Sequence, residues 1–141
     1  MNKRMPVFVY GSLRAGFENH RLYVQPYPHH VQKAAVRGRL YHLPSGYPGL
    51  LLEDEGWVSG ELIFFADGVY AEVMSRLDKL ETFYGPGDPR NEYERVIVEA
   101  TLTETSESIR AYAYLYVDEA YAKRKGICVP DGDWREFIRT R

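Results

Sequence analysis

The segment from Val69 to Tyr84 is the one long stretch of this chain whose apolar residues keep a helical period. Tyr70, Val73, Met74, Leu77 and Leu80 recur at spacings of three and four, Asp67 stands before them as a cap, and Gly85-Pro86 stops them. The segments around it read as strands instead. Val7 to Tyr10, Val36 to Leu43, Trp57 to Phe65, Tyr93 to Leu102 and Ile109 to Val117 are short, apolar or alternating, and bounded by turn residues. One long helix among five strands does not build a sheet in which helices and strands alternate, so the class is α+β, with a sheet that can curl into a barrel. A helical turn is expected from His20 to Gln25, ended by Pro26, and a short helix from Glu119 to Lys125. Ser45 to Gly49 reads as a turn-rich loop, and Pro130 to Trp134 as a turn with an aromatic anchor. In the last strand, Ile109, Ala111, Ala113, Leu115 and Val117 face one way and Tyr112, Tyr114 and Tyr116 the other. The tyrosine face is more often a wall of a second core or a solvated sheet face than a pocket.

A chain of 141 residues with 45% hydrophobic and 27% charged residues has the material for one core, so residues 1–141 are expected to form a single domain. Eighteen Lys and Arg against 20 Asp and Glu leave none of the basic excess that binding to a phosphate backbone needs, so nucleic acid is a poor partner. The longest clean apolar run, Leu62 to Ala66, is far too short to span a bilayer. Met1 to Pro6 is followed by only a few apolar residues before Gly11, too few for a signal-peptide core, and a single cysteine, Cys128, cannot form an internal disulfide. A soluble, cytoplasmic protein is expected, with a monomer favoured.

On a helical wheel with Tyr70 at zero, Met74 falls at about 40°, Leu77 at about 340° and Glu81 at about 20°. Glu81 thus sits in the apolar stripe, while Glu72, Ser75, Arg76 and Lys79 occupy the solvated arc. Burying a carboxylate raises its pKa, which makes it a candidate general base near neutral pH. Two structural alternatives stand beside that reading: the helix frays before Glu81, or Glu81 pairs with an arginine such as Arg95 in a buried ion pair. The loop Tyr10-Gly11-Ser12-Leu13-Arg14-Ala15-Gly16 leaves its strand through a glycine, exposing backbone N–H groups that could hold an anion, or it is a plain strand-exit turn. Its use as a site would rest on positive φ at Gly11 and on close backbone approach. Gly11 and Gly16 have phosphate-loop spacing, but Phe17-Glu18 stand where Lys and Ser/Thr belong, and Ser12 lacks a nucleophile elbow. The four histidines and Cys128 show no zinc spacing, so no metal is expected.

Val7-Phe8-Val9-Tyr10-Gly11-Ser12-Leu13, Gly38-Arg39-Leu40-Tyr41, Tyr47-Pro48-Gly49, Val58-Ser59-Gly60-Glu61-Leu62, Leu77-Asp78-Lys79-Leu80-Glu81 and Tyr93-Glu94-Arg95 follow one another in an order that resembles the gamma-glutamylcyclotransferase-like superfamily. The likeness runs from Val7 to about Val117. Gly16 to Arg21 looks like its gamma-glutamylamine branch, and Asp131 to Arg135 is similar to the tail of small bacterial-type members. The resemblance implies a small mixed β-barrel with one main helix and flanking short helices, no cofactor, and a small gamma-glutamyl compound as substrate. It implies intramolecular aminolysis that releases 5-oxoproline, with Glu81 as the catalytic acid/base and Tyr10, Gly11, Ser12 and Leu13 binding substrate. Tyr93, or one of Tyr112, Tyr114 and Tyr116, would position the substrate through its hydroxyl. A gamma-glutamyl amine is expected to be preferred over glutathione, whose extra carboxylate would need Arg14, Arg21 or Arg95 at the cavity. The competing readings are a non-catalytic small-metabolite-binding domain of the same fold and a structural scaffold.

Overall fold

A computed structural model describes residues 4–141; Met1 to Lys3, at the head of the amino-terminal stretch, lie outside them. The chain forms β1 (Val7–Val9), α1 (Glu18–Tyr23), β2 (His29–Arg37), β3 (Arg39–His42), β4 (Pro48–Leu51), β5 (Trp57–Phe65), α2 (Asp67–Leu80), β6 (Tyr93–Leu102), β7 (Ser108–Tyr116), α3 (Glu119–Lys125), β8 (Ile127–Cys128) and α4 (Trp134–Arg139). Strands β1, β5, β2, β6 and β7 pair antiparallel in that order. A parallel contact between Val7 and Tyr112 closes the ring. The expected curl is therefore a closed barrel of five strands, and β4, β3 and β8 continue the sheet from the far end of β7.

A barrel this narrow admits few large side chains, and the inward positions show it. Ala34, Ala100, Ala111 and Ala113 line the interior around Phe8, Leu62, Val58 and Trp134. A Cβ on Gly60 would stand 2.2 Å from the carbonyl of Val9 and 2.8 Å from the Phe8 ring, so the missing side chain makes room for that ring. The outer faces of β1, β5 and β7 carry a second core: Val7, Val9, Ile63, Phe65 and Tyr114 meet Val73, Met74 and Leu77 of α2. The two faces of β7 thus belong to two cores, aliphatic inside the barrel and aromatic under the helix.

Several expectations change. The strand expected over Val36 to Leu43 is two strands with different sheet partners, separated by a bend at Gly38, where a Cβ would stand 2.6 Å from the carbonyl of Leu51. β2 begins at His29, in a polar stretch where the sequence shows no apolar alternation. The loop expected at Ser45 to Gly49 gives way to β4 at Pro48, and its register is set by Leu40 opposite Leu50 in the neighbouring strand and by distant Leu115 beside Leu50. The first helix occupies Glu18–Tyr23 instead of His20 to Gln25. The turn at Pro130 to Trp134 leads into α4, which Asp133 caps by accepting from the Glu136 N–H. The main helix runs Asp67–Leu80, so it starts earlier and stops four residues sooner than its apolar period suggests.

Candidate active site

Helix α2 ends in a Schellman motif: the N–H of Phe83 reaches the carbonyl of Asp78 at 2.9 Å, and that of Thr82 the carbonyl of Lys79 at 3.2 Å. Thr82 occupies the left-handed position, with φ 55°, where glycine is usual. Glu81 is the residue between helix and turn; the helix stops before it in an ordered cap and does not fray. Nor does Glu81 pair with Arg95, which binds Asp78 at 3.0 Å. The Glu81 carboxyl has no hydrogen-bond or ion-pair partner among the described residues. Protein encloses it, and its remaining surface faces a cavity of about 320 Å³. Burial, and then the nearby charge of Glu92, push its pKa from 4.5 up to about 7.

The loop after β1 lines the same cavity with Tyr10, Gly11, Ser12 and Leu13. The N–H groups of Gly11, Ser12 and Leu13 have no partner among the described residues. Gly11 does not have positive φ, contrary to expectation; it is required for close approach, since a Cβ there would stand 2.6 Å from Pro48 Cγ. The loop is held from several sides. Its Ala15 N–H donates to buried Glu61 at 2.9 Å, and Arg14 binds Asp133 at 3.0 Å. Asn19 donates to the Ser12 hydroxyl at 2.8 Å, and a His20 ring nitrogen lies 2.8 Å from the Leu13 carbonyl. Arg135 closes the network by donating to the Ala15 carbonyl.

Tyr93 also lines the cavity, but its hydroxyl donates to the Pro48 carbonyl at 2.8 Å, so only its acceptor lone pairs are left for a ligand. The Tyr10 hydroxyl donates to the Tyr114 carbonyl at 2.6 Å, and burial raises its pKa, so it stays a neutral part of the floor. Of the other three tyrosines proposed to position substrate, Tyr114 alone lines the cavity, its hydroxyl donating to Asp78 at 2.7 Å. Tyr112 lies under the Arg95 guanidinium, and Tyr116 packs edge-on against Tyr93. The structure thus brings Tyr10, Gly11, Ser12, Leu13, Glu81 and Tyr93 around one space. It adds Asn19, on the short helix α1, and the loop residues Tyr47 and Glu92, none of which a periodicity could have marked. Among the described residues no group of His, Cys, Asp and Glu is arranged to hold a metal ion, and no helix is long and apolar enough to cross a membrane.

An enclosed carboxylate that shares a small cavity with a loop of free backbone donors is the equipment of an acid/base enzyme acting on a small molecule. Comparison with known proteins makes this specific. Residues 7–136 match the model of the family "Gamma-glutamyl cyclotransferase, AIG2-like". The gamma-L-glutamyl-butirosin B gamma-glutamyl cyclotransferase of Niallia circulans is 34% identical over 131 residues, 93% of this chain and 76% of that protein. The fold matches an AIG2-like protein of Mus musculus at a TM-score of 0.64 and 21% identity, covering 84% of this chain and 82% of the other. It also matches YkqA of Bacillus subtilis at a TM-score of 0.68 and 22% identity, covering 99% of this chain but 44% of that one. The chain belongs to the gamma-glutamyl cyclotransferase, AIG2-like family and is an enzyme of the cyclotransferase type.

Proposed function

We propose that this enzyme cyclises a gamma-glutamyl amine or peptide to 5-oxoproline, with Glu81 moving the protons. The observation that carries the reading is the unpartnered Glu81 carboxyl, its pKa raised to about 7, in one cavity with the free N–H groups of Gly11, Ser12 and Leu13. Glu81 takes a proton from the substrate's α-ammonium, and the freed amine attacks the substrate's own γ-carbonyl carbon. The loop N–H groups hold the α-carboxylate or the developing oxyanion. Glu81 then returns a proton to the departing nitrogen as the bond from the γ-carbon to that nitrogen breaks, and the second proton lost by the ring nitrogen passes through Glu81 to the released amine, leaving 5-oxoproline and an ammonium product. No water is consumed. Tethering of nucleophile and electrophile supplies a high effective molarity once the substrate is folded into the cavity. The lone cysteine suits a reducing, cytoplasmic setting.

The test is incubation with a panel of gamma-glutamyl amines, dipeptides and glutathione, with 5-oxoproline read by mass spectrometry. The expected result is product from at least one amine, with kcat/KM rising through pH of about 7 as Glu81 ionises. No 5-oxoproline from any of them, with retained binding of a gamma-glutamyl compound, would establish a binding domain instead.

A further inference from the structure

Arg14, His20, Glu61 and Asn91 are the polar or charged residues that the described part of the fold buries almost completely. Burying such groups is costly unless each has a partner, so the place where they gather is a place where the fold gives up stability for something else. Three of them meet on the loop after β1: Arg14 belongs to it, His20 lies against the Leu13 carbonyl, and Glu61 accepts from the Ala15 N–H. Asn91 instead holds the turn at Tyr84 and Gly85.

Glu61 stands on β5 at an outward position, in line with Ile63 and Phe65 of the second core, where an apolar residue would serve the fold better. Across the ladder it faces Val9, the last residue of β1, from which the loop departs. Its side chain takes the Ala15 N–H at 2.9 Å, where the loop comes back. Both ends of residues 10–15 are thus fixed at one residue of the barrel wall, with the free N–H groups of Gly11, Ser12 and Leu13 between them. Arg135, the second residue of α4, completes the hold. Its guanidinium donates to the Ala15 carbonyl, lies 3.7 Å from the second Glu61 oxygen and 5.4 Å from the centre of the Phe17 ring. The two backbone polar groups of Ala15 therefore end on the two members of one ion pair, and neither member lines the cavity.

We propose that Glu61 and Arg135 are positioning residues of the reaction: acting through Ala15, they hold the Gly11, Ser12 and Leu13 N–H groups where the substrate's negative charge must be met. This rests on the cyclotransferase reading of the cavity and extends its machinery to α4.

The Arg135 side chain is 34% exposed, so Arg135→Ala leaves both cores intact. With the panel substrate turned over best, its kcat/KM should fall about ten- to hundredfold, since displacing a binding group by about 1 Å has effects of this order. Glu61→Ala should lose at least as much. Glu61→Gln, which keeps an acceptor for the Ala15 N–H, should recover part of that loss. Because the pair acts on one residue, the double variant Glu61→Gln with Arg135→Ala should lose less than the product of the two single losses. Rates are taken well below the Tm of each variant, where every chain is folded, so a purely structural role leaves them unchanged. A lowered Tm with parental kcat/KM in Arg135→Ala, no recovery in Glu61→Gln, or losses that multiply would overturn the proposal. Should Glu61→Ala not fold, Arg135→Ala decides alone, and a parental rate in it overturns the pair. If the parent forms no 5-oxoproline from any substrate, calorimetry with gamma-glutamylpentylamine reads the loop without turnover. Weaker binding to Arg135→Ala then refutes the reaction and keeps the positioning pair, and equal binding overturns the pair.

Discussion

Replacing Glu81 by Gln separates a catalytic carboxyl from a structural one, because the two predict opposite changes in stability. The acid has a pKa of about 7 in the fold against 4.5 as its ordinary value. Between these values the folded state holds the proton that the unfolded chain has released, so stability falls as pH rises through this window and the full cost is present above about 7. With about 1.4 kcal/mol per pKa unit, the loss between pH 5 and pH 8 amounts to about 2–3 kcal/mol. Gln is nearly isosteric and does not ionise. Relative to the parent, Glu81→Gln should therefore gain about 2–3 kcal/mol as pH goes from 5 to 8, or about 6–10 °C in Tm for a chain of this size. Turnover should fall by about 10²–10⁴-fold. Thermal unfolding at the two pH values and single-substrate kinetics measure both. A Tm difference that does not change with pH, or a variant less stable than the parent at pH 8, would refute the buried unpaired acid. Near-normal turnover would refute its role in catalysis.

Thr82→Gly should stabilise the protein by about 0.5–1 kcal/mol, because relief of the left-handed strain at an L-residue outweighs the added freedom of glycine in the unfolded chain; a lower Tm in thermal unfolding would count against a strained turn. Gly11→Ala should destabilise by about 1–3 kcal/mol through the 2.6 Å clash with Pro48 and weaken 5-oxoproline binding about tenfold or more in calorimetry; unchanged affinity would remove this loop from the site.

What the sequence made legible follows the range of the interactions involved. Trp57–Phe65 and Tyr93–Leu102 could be read to the residue because the first closes on an unbroken apolar run and the second alternates from Val96 to Leu102, each bounded by turn residues. β4 could not: Pro48 and Gly49 have turn chemistry locally, and their strand is fixed by Leu40 in the neighbouring strand and by Leu115, far away in sequence. Gly49 is needed at the crossing, since a Cβ there would stand 2.8 Å from Tyr116 Cβ. Closure of the barrel rests on the same kind of distant pairing, Val7 with Tyr112, which no local pattern encodes. In the site, the helix stripe pointed to Glu81 and the glycine exit to the loop after β1. Glu92 and Asn19 lie in segments without periodicity, so only folding shows that they share the cavity.

The wheel placed Glu81 on the apolar face by extending a helix that has already ended, and the placement survives for a local reason. At the C-cap the backbone has φ −87° and ψ 3°, near enough to helical values to continue the last turn for one residue. Thr82 then reverses the chain, and Phe83 comes back to pack against the second core. The carboxyl is thereby held at the end of a helix, where the negative pole of the macrodipole disfavours an anion in the same sense as burial and Glu92 do. A cationic side chain there would suit the helix better, and a glycine at position 82 would suit the turn better. Both local choices run against stability, and both act on one carboxyl that faces the cavity with no partner. Such a conflict between neighbouring residues is expected where a proton must be held loosely near neutral pH, and it sets the sign of the stability changes expected from Glu81→Gln and Thr82→Gly.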